Sequence, residues 1–160
     1  MRIFIRKPTL PELPMAKAVS TAAFESLRSI YRPTAETLAR QPVRTRMGTR
    51  LIAILNGEIV GTVQYDCHEK HVHIIGLAVH PNHQKKGIAR QLVQHIVDLA
   101  PGLGYNTVVL DTIRETGNVK IFQRMGFEVF EESITDDFES DQFPILYEVK
   151  MKIRLKSGRR

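Results

Sequence analysis

The run Val79-His80-Pro81-Asn82-His83-Gln84-Lys85-Lys86-Gly87-Ile88-Ala89-Arg90 leads from an apolar strand pattern through a polar loop into an amphipathic helix. The first turn of a helix leaves backbone N–H groups unpaired, and with the helix dipole they favour an anion. Gly87 lets a phosphate approach the backbone with no Cβ in the way. Ala89 is nearly as small, and Lys85, Lys86 and Arg90 add positive charge. From the residues alone, the loop is either a phosphate seat or the ordinary opening of a surface helix with solvated lysines. The second chemistry-bearing pair is His71 and His73, two apart on one strand and so on one face. An imidazole titrates near pH 6.5 and is suited to taking a proton at neutrality; the bland reading is two half-exposed strand residues. His68, His80 and His83 fall in or beside turns. No Cys–His or Ser–His nucleophile pattern stands out. The lone Cys67 excludes an intramolecular disulfide and a multi-cysteine zinc site. His71-x-His73 would hold a metal only weakly, and no metal is expected.

The elements that position these residues are legible as patterns. Ile3–Arg6 reads as a short strand that Pro8, Pro11 and Pro14 end. Helical spacing over 15–28 puts Ala18, Val19, Ala22, Ala23 and Leu27 on one side, and a second short helix fits 34–40. Asn56-Gly57 between apolar runs signals a hairpin over 50–66, and a further strand spans about 71–79. Ile88, Leu92, Val93, Ile96 and Leu99 recur at helical spacing until Pro101-Gly102. A strand over 106–111, a helix over 118–125 ending at Gly126, and strands over 127–130 and 145–155 complete the chain. The order is β-α-α-β-β-β-α-β-α-β-β, an α/β chain with one mixed sheet flanked by helices. Residues 1–160 show no linker or repeat and read as a single domain.

Gln84-x-x-Gly87-x-Ala89 after Leu77-Ala78-Val79-His80-Pro81 resembles the acyl-CoA pyrophosphate loop of the GNAT superfamily of N-acetyltransferases, whose pattern is Arg/Gln-x-x-Gly-x-Gly/Ala. Asn118-Val-Lys-Ile-Phe-Gln-Arg-Met-Gly126-Phe127 is similar to that family's later Asn…Gly-Phe motif. The two motifs, in order and in context, cover about residues 71–130. The resemblance implies the GNAT fold and acetyl-CoA as co-substrate. The N–H groups of Gln84, Lys85, Lys86, Gly87, Ile88 and Ala89 would bind pyrophosphate, beside Arg90. Leu77, Ala78 and Val79 would pair with the pantetheine arm as a strand does, where two strands splay apart. Asn118 would lie near that arm and Phe122 near the thioester sulfur. The N–H of about Val79 would face the oxyanion, and His73 takes the position where many relatives keep a glutamate or histidine base.

Acetyl transfer needs a neutral amine, so His73 or a water chain would take its proton. One departure concerns the leaving thiolate. Many relatives carry a tyrosine as its acid, whereas this chain has Phe122, which has no proton to give. Tyr65 and Tyr147 are possible substitutes, or the thiolate leaves unaided. With no nucleophile pattern, direct transfer to a primary amine in a ternary complex is expected. A CoA-binding module with little or no turnover is the alternative.

Composition narrows the partners. The chain has 160 residues, 42% apolar and 25% charged, with no apolar run approaching the roughly 20 residues of a membrane span. The opening residues do not read as a signal peptide. A cytoplasmic protein is expected, with no membrane partner. The net charge of +6 comes from 23 basic and 17 acidic residues, and six of the basic ones lie in 150–160. Without that tail the charges balance, and the tail alternates like a strand, so no nucleic-acid face is expected. The resemblance places the acceptor between about 24–45 and 131–143. Arg28, Arg32, Arg40, Arg44 and Arg46 suggest one wall, for an amine carrying an acid; the six acids of 131–141 suggest another, for a polyamine, aminoglycoside or lysine peptide. Relatives' habits allow a homodimer through the last strands.

Overall fold

The computed structural model describes residues 1–40 and 48–156. Strands with alternating apolar positions assemble into one sheet. They are β1 (Phe4–Arg6), β3 (Thr49–Leu55), β4 (Glu58–Cys67), β5 (Val72–Val79), β6 (Thr107–Ile113), β7 (Glu128–Thr135) and β9 (Leu146–Arg154). Their order across the sheet is β1-β3-β4-β5-β6-β9-β7. Every neighbouring pair is antiparallel except β5 and β6, which are parallel. A small ribbon of β2 (Arg32–Pro33) and β8 (Phe138–Glu139) stands apart. The helices are α1 (Leu13–Glu25), α2 (Ala35–Arg40), α3 (Ile88–Leu99) and α4 (Asn118–Arg124).

The alternation sorts the two sheet faces. Leu51, Val63, Val72 and Ile74 point to the side that α3 covers with Leu92, Val93 and Ile96. Leu92 and Ile96 are wholly buried, and burial of each such side chain is worth about 1.5–3 kcal/mol. Ile52, Thr62, Gln64 and His73 point the other way, and α1 packs over β4 and β5. The expected face of α1 is rotated: Ala16, Val19 and Ala23 are buried, Ala18 is exposed, and the helix ends at Glu25. Small residues at that spacing let the helix lie close on a polar sheet face. The hairpin turn falls at Asn56 and Gly57, both at positive φ as expected.

The acidic run is the larger correction. The strand expected over 127–130 does not stop there: the first five residues of the run, 131–135, continue β7, which pairs with β9 as far as Thr135↔Leu146. β7 is an edge strand and exposes almost all its residues, so charges cost it little there. The expected alternation of the last strand holds: Val149 and Met151 are buried, while Lys150, Lys152 and Arg154 lie on the opposite face. No helix among the described residues is long and apolar enough to cross a membrane.

Candidate active site

β5 is irregular in two ways, and each opens space. Thr62 stands opposite Ala78 and Gln64 opposite Ile75, so β5 carries one extra residue. The bulge contains Gly76 at φ +63°, a conformation that glycine adopts without penalty. Parallel pairing with β6 runs only through Val72↔Val108, His73↔Val109 and Ile74↔Leu110. Beyond that vertex, residues 75–79 and 111–113 part. The backbone of Val79 faces the gap. The next N–H, that of His80, bonds the Val60 carbonyl at 2.9 Å, so alternation turns the N–H and C=O of Val79 away from β4. The Val79 carbonyl accepts from Gln84 Nε2 at 3.0 Å, which ties the loop to the strand end. Leu77, two residues nearer the vertex, shares the Val79 orientation, and Ala78 between them pairs with β4.

At the far end of this gap the loop has the backbone form that cradles anions. Gln84 is extended, Lys85 is left-handed at φ +65°, and Gly87 is left-handed at φ +80° and caps α3. Such alternation points successive N–H groups into one concavity. The first bond of α3 runs from Gln91 N–H to the Gly87 carbonyl, so Ile88, Ala89 and Arg90 have no helix carbonyl to donate to. A Cβ on Gly87 would meet nothing within 4 Å, so the space above the turn is open. Lys85 and Lys86 are exposed beside it. Pyrophosphate fits this cradle in shape and charge. Across the gap, Asn118 opens α4, its N–H bonded to Thr116 Oγ1 at 3.3 Å. Phe122 is packed in the core against Phe127, ring centroids 6.3 Å apart.

At the vertex, His73 is 8% exposed and its Nε2 lies 3.2 Å from Asp111 Oδ2. Asp111 sits on β6 one residue past the last pair, and no local motif marks it; only the cross-strand register brings it to His73. The ring of His71 stands 6.3 Å from that of His73 and stacks on His68 at 4.9 Å. Burial pushes the His71 imidazole below its ordinary value; the charges of His68 and His73 add to this and Asp111 opposes it. Of the two tyrosines, Tyr65 lies in the core, and Tyr147 lies under the Arg114 guanidinium, 3.7 Å from the ring centre. Cys67 is exposed at the end of β4. Among the described residues, no group of three or more His, Cys, Asp or Glu is placed to hold a metal ion.

The two expected charged walls are one structure. Arg32 bridges Glu139 at 3.5 Å and Asp141 at 2.9 Å, and Arg40 meets Asp137 at 3.0 Å. Thr34 N–H and Thr37 Oγ1 bond the Asp137 carbonyl as well. Glu132 pairs with Arg114 and Glu131 with Lys150. The arginines and acids therefore neutralise each other and strap the α1–α2 segment to the β7–β9 connection. Arg28 is exposed; Arg44 and Arg46 lie outside the described residues.

Comparison with known proteins agrees with this architecture. The Acetyltransferase (GNAT) family profile matches residues 17–127, and the chain belongs to that family. It is 34% identical over 92 residues to N-acetyltransferase 8 of Rattus norvegicus, covering 53% of this chain and 41% of the relative. The Mus musculus protein of the same name is 32% identical over 92 residues, covering 53% and 40%. The chain thus matches about two-fifths of the length of these curated relatives. Among solved structures, the ribosomal-protein-S18-alanine N-acetyltransferase of Escherichia coli superposes with a TM-score of 0.73 at 16% identity, covering 99% of this chain and 97% of that one. A GNAT family acetyltransferase of Elizabethkingia anophelis with acetyl-CoA bound gives 0.72 at 18% identity, covering 96% and 98%.

Proposed function

We propose that the protein transfers an acetyl group from acetyl-CoA to a primary amine, directly and in a ternary complex. The observation that carries this reading is one strand with a phosphate cradle at one end and a His–Asp pair at the other. Between His73 and Val79 lie about 20 Å of strand, open on the β6 side, which suits an extended pantetheine arm. Gln84–Ala89 and Arg90 bind the pyrophosphate, Leu77–Val79 pair with the arm, and Asn118 borders it. The span between His73 and Val79 is too long for one thioester carbonyl to meet both, so the N–H of Val79, expected to face the oxyanion, serves the pantetheine arm instead. His73 takes the proton from the amine. Its Nε2–H donates to Asp111, which fixes the ring and leaves Nδ1 as the basic atom. Phe122 supplies packing rather than a proton, so the thiolate leaves without an acid from that position.

The test is thiol release from acetyl-CoA, with and without a panel of polyamines, aminoglycosides, amino acids and short peptides. Amine-dependent release is expected. Acetyl-CoA binding without release for any amine would favour the CoA-binding module instead. An acetylated enzyme trapped in the absence of acceptor would rule out direct transfer.

A further inference from the structure

On the His73 face, α1 covers β4 and β5, while a groove of about 780 Å³ lies open over β6 and β9. It runs from the vertex to the start of β6, and its charge is graded along its length. Register sets the order. Ile113 is opposite Glu148, Asp111 opposite Lys150, Val109 opposite Lys152, and Thr107 opposite Arg154. The vertex end therefore presents Asp111 and Glu148, beside an Asp137 already tied to Arg40. Lys150 is engaged by Glu131 at 3.8 Å. The remote end presents Lys152, Arg154 and Lys70. Among the described residues, none of these three has a carboxylate within ion-pair distance. Glu128 stands opposite Lys152 in register but does not pair with it. Lys152 is instead held over the Phe130 ring, 4.9 Å from its centre, and both residues line the groove.

We propose that this groove selects the acceptor, and that the acceptor is a peptide with a free amino terminus and acidic side chains at its third and fifth residues. This rests on the vertex being the reaction centre. The acidic end attracts the ammonium before His73 deprotonates it. Lys152 lies two residues of strand from Asp111 and Arg154 lies four, or about 7 and 13 Å. An extended peptide repeats at the same rise, so its third and fifth residues reach those two cations from an amine at the vertex. The paired acids of the strap leave it little charge for a polycation, which argues against the polyamine class.

The experiment compares three pentapeptides, Ser-Ala-Glu-Ala-Glu, Ser-Ala-Gln-Ala-Gln and Ser-Ala-Lys-Ala-Lys, by kcat/KM and, in parallel, by calorimetry on the CoA-loaded protein. The acidic peptide should exceed the neutral one by about tenfold, the size of two half-exposed ion pairs. The preference should shrink in high salt. It should fall to near unity in Lys152→Gln/Arg154→Gln, survive in Lys152→Arg, and reverse toward the lysine peptide in Lys152→Glu/Arg154→Glu. Turnover with no preference, or a preference that the glutamine variant keeps, overturns the groove and leaves the reaction standing. Tighter binding of the acidic peptide without turnover, lost in the glutamine variant, supports the groove and overturns the reaction. Neither turnover nor preferential binding overturns the groove.

Discussion

The two ends of β5 are built on opposite principles. The loop end is made of backbone: Gln84 to Arg90 are consecutive, and their N–H groups converge because Lys85 and Gly87 are left-handed. The vertex end is made of side chains from different strands, with His73 on β5 meeting Asp111 on β6, 38 positions later in the chain, and Glu148 and Lys150 facing the same groove from β9. An anion cradle needs many weak donors in a fixed curve, and a short local segment supplies them. The proton transfer proposed for the vertex needs one base at one place, with a partner that orients it, and the register of the sheet brings such a pair together. Binding and chemistry should therefore fail separately.

The largest effect is expected at the vertex. His73→Ala should lower kcat at neutral pH by about a hundredfold or more, within the usual range for a general base, with little change in the KM for acetyl-CoA. Raising the pH neutralises the amine without help, so the deficit should narrow. A pH–rate profile parallel to that of the wild type would remove His73 from the role. Asp111→Asn comes next. It keeps the shape but loses a charge-assisted hydrogen bond, typically worth about 1.5–3 kcal/mol, and the partial exposure of Asp111 discounts this. A loss of about tenfold in kcat is expected, again with acetyl-CoA affinity kept. Equal losses in both parameters would mean that the pair holds the vertex open rather than moving a proton.

The loop end should show the reverse. Gly87→Ala adds a Cβ that meets no protein atom but enters the space proposed for the pyrophosphate, so its cost is the left-handed backbone together with crowding of the anion. That conformation costs an L-residue about 1–2 kcal/mol. The KM for acetyl-CoA should rise by about tenfold while kcat holds. An unchanged KM would show that the cradle tolerates a relaxed turn and that Gly87 is there for the helix alone.

The same contrast explains what the sequence disclosed. The loop from Gln84 to Ala89 was readable as a strand-to-helix turn because its shape depends on nearest neighbours, as were the Asn56-Gly57 turn and the spacing of α3 from Ile88 to Leu99. Asp111 was not readable, because an aspartate at the end of a β-branched run looks like a strand terminus until the parallel register sets it 3.2 Å from an imidazole. The acidic run misled for a related reason. Six acids in eleven residues look solvated, yet most are neutralised by arginines and a lysine from distant segments, and half of the run is strand. The bulge at Gly76 was hidden as well, since one extra residue leaves no mark on a run as apolar as 74–79.

The smallest effect concerns His71, and it tests whether the vertex alone answers to pH. Burial pushes this imidazole below its ordinary value, and the neighbouring His68 and His73 push it in the same direction. Below pH about 6.5, the unfolded chain takes up a proton here that the folded chain resists. The unfolded state then binds more protons, so stability falls as the pH drops from about 6.5 toward the lowered folded value, and is unaffected above. His71→Gln removes that contribution. The midpoint of thermal unfolding should match the wild type at pH 8 and exceed it slightly at pH 5. The reverse order at pH 5 would mean that protonated His71 is welcomed at the vertex, with Asp111 outweighing burial, and that the acidic end of the groove is more strongly negative than its ion pairs suggest.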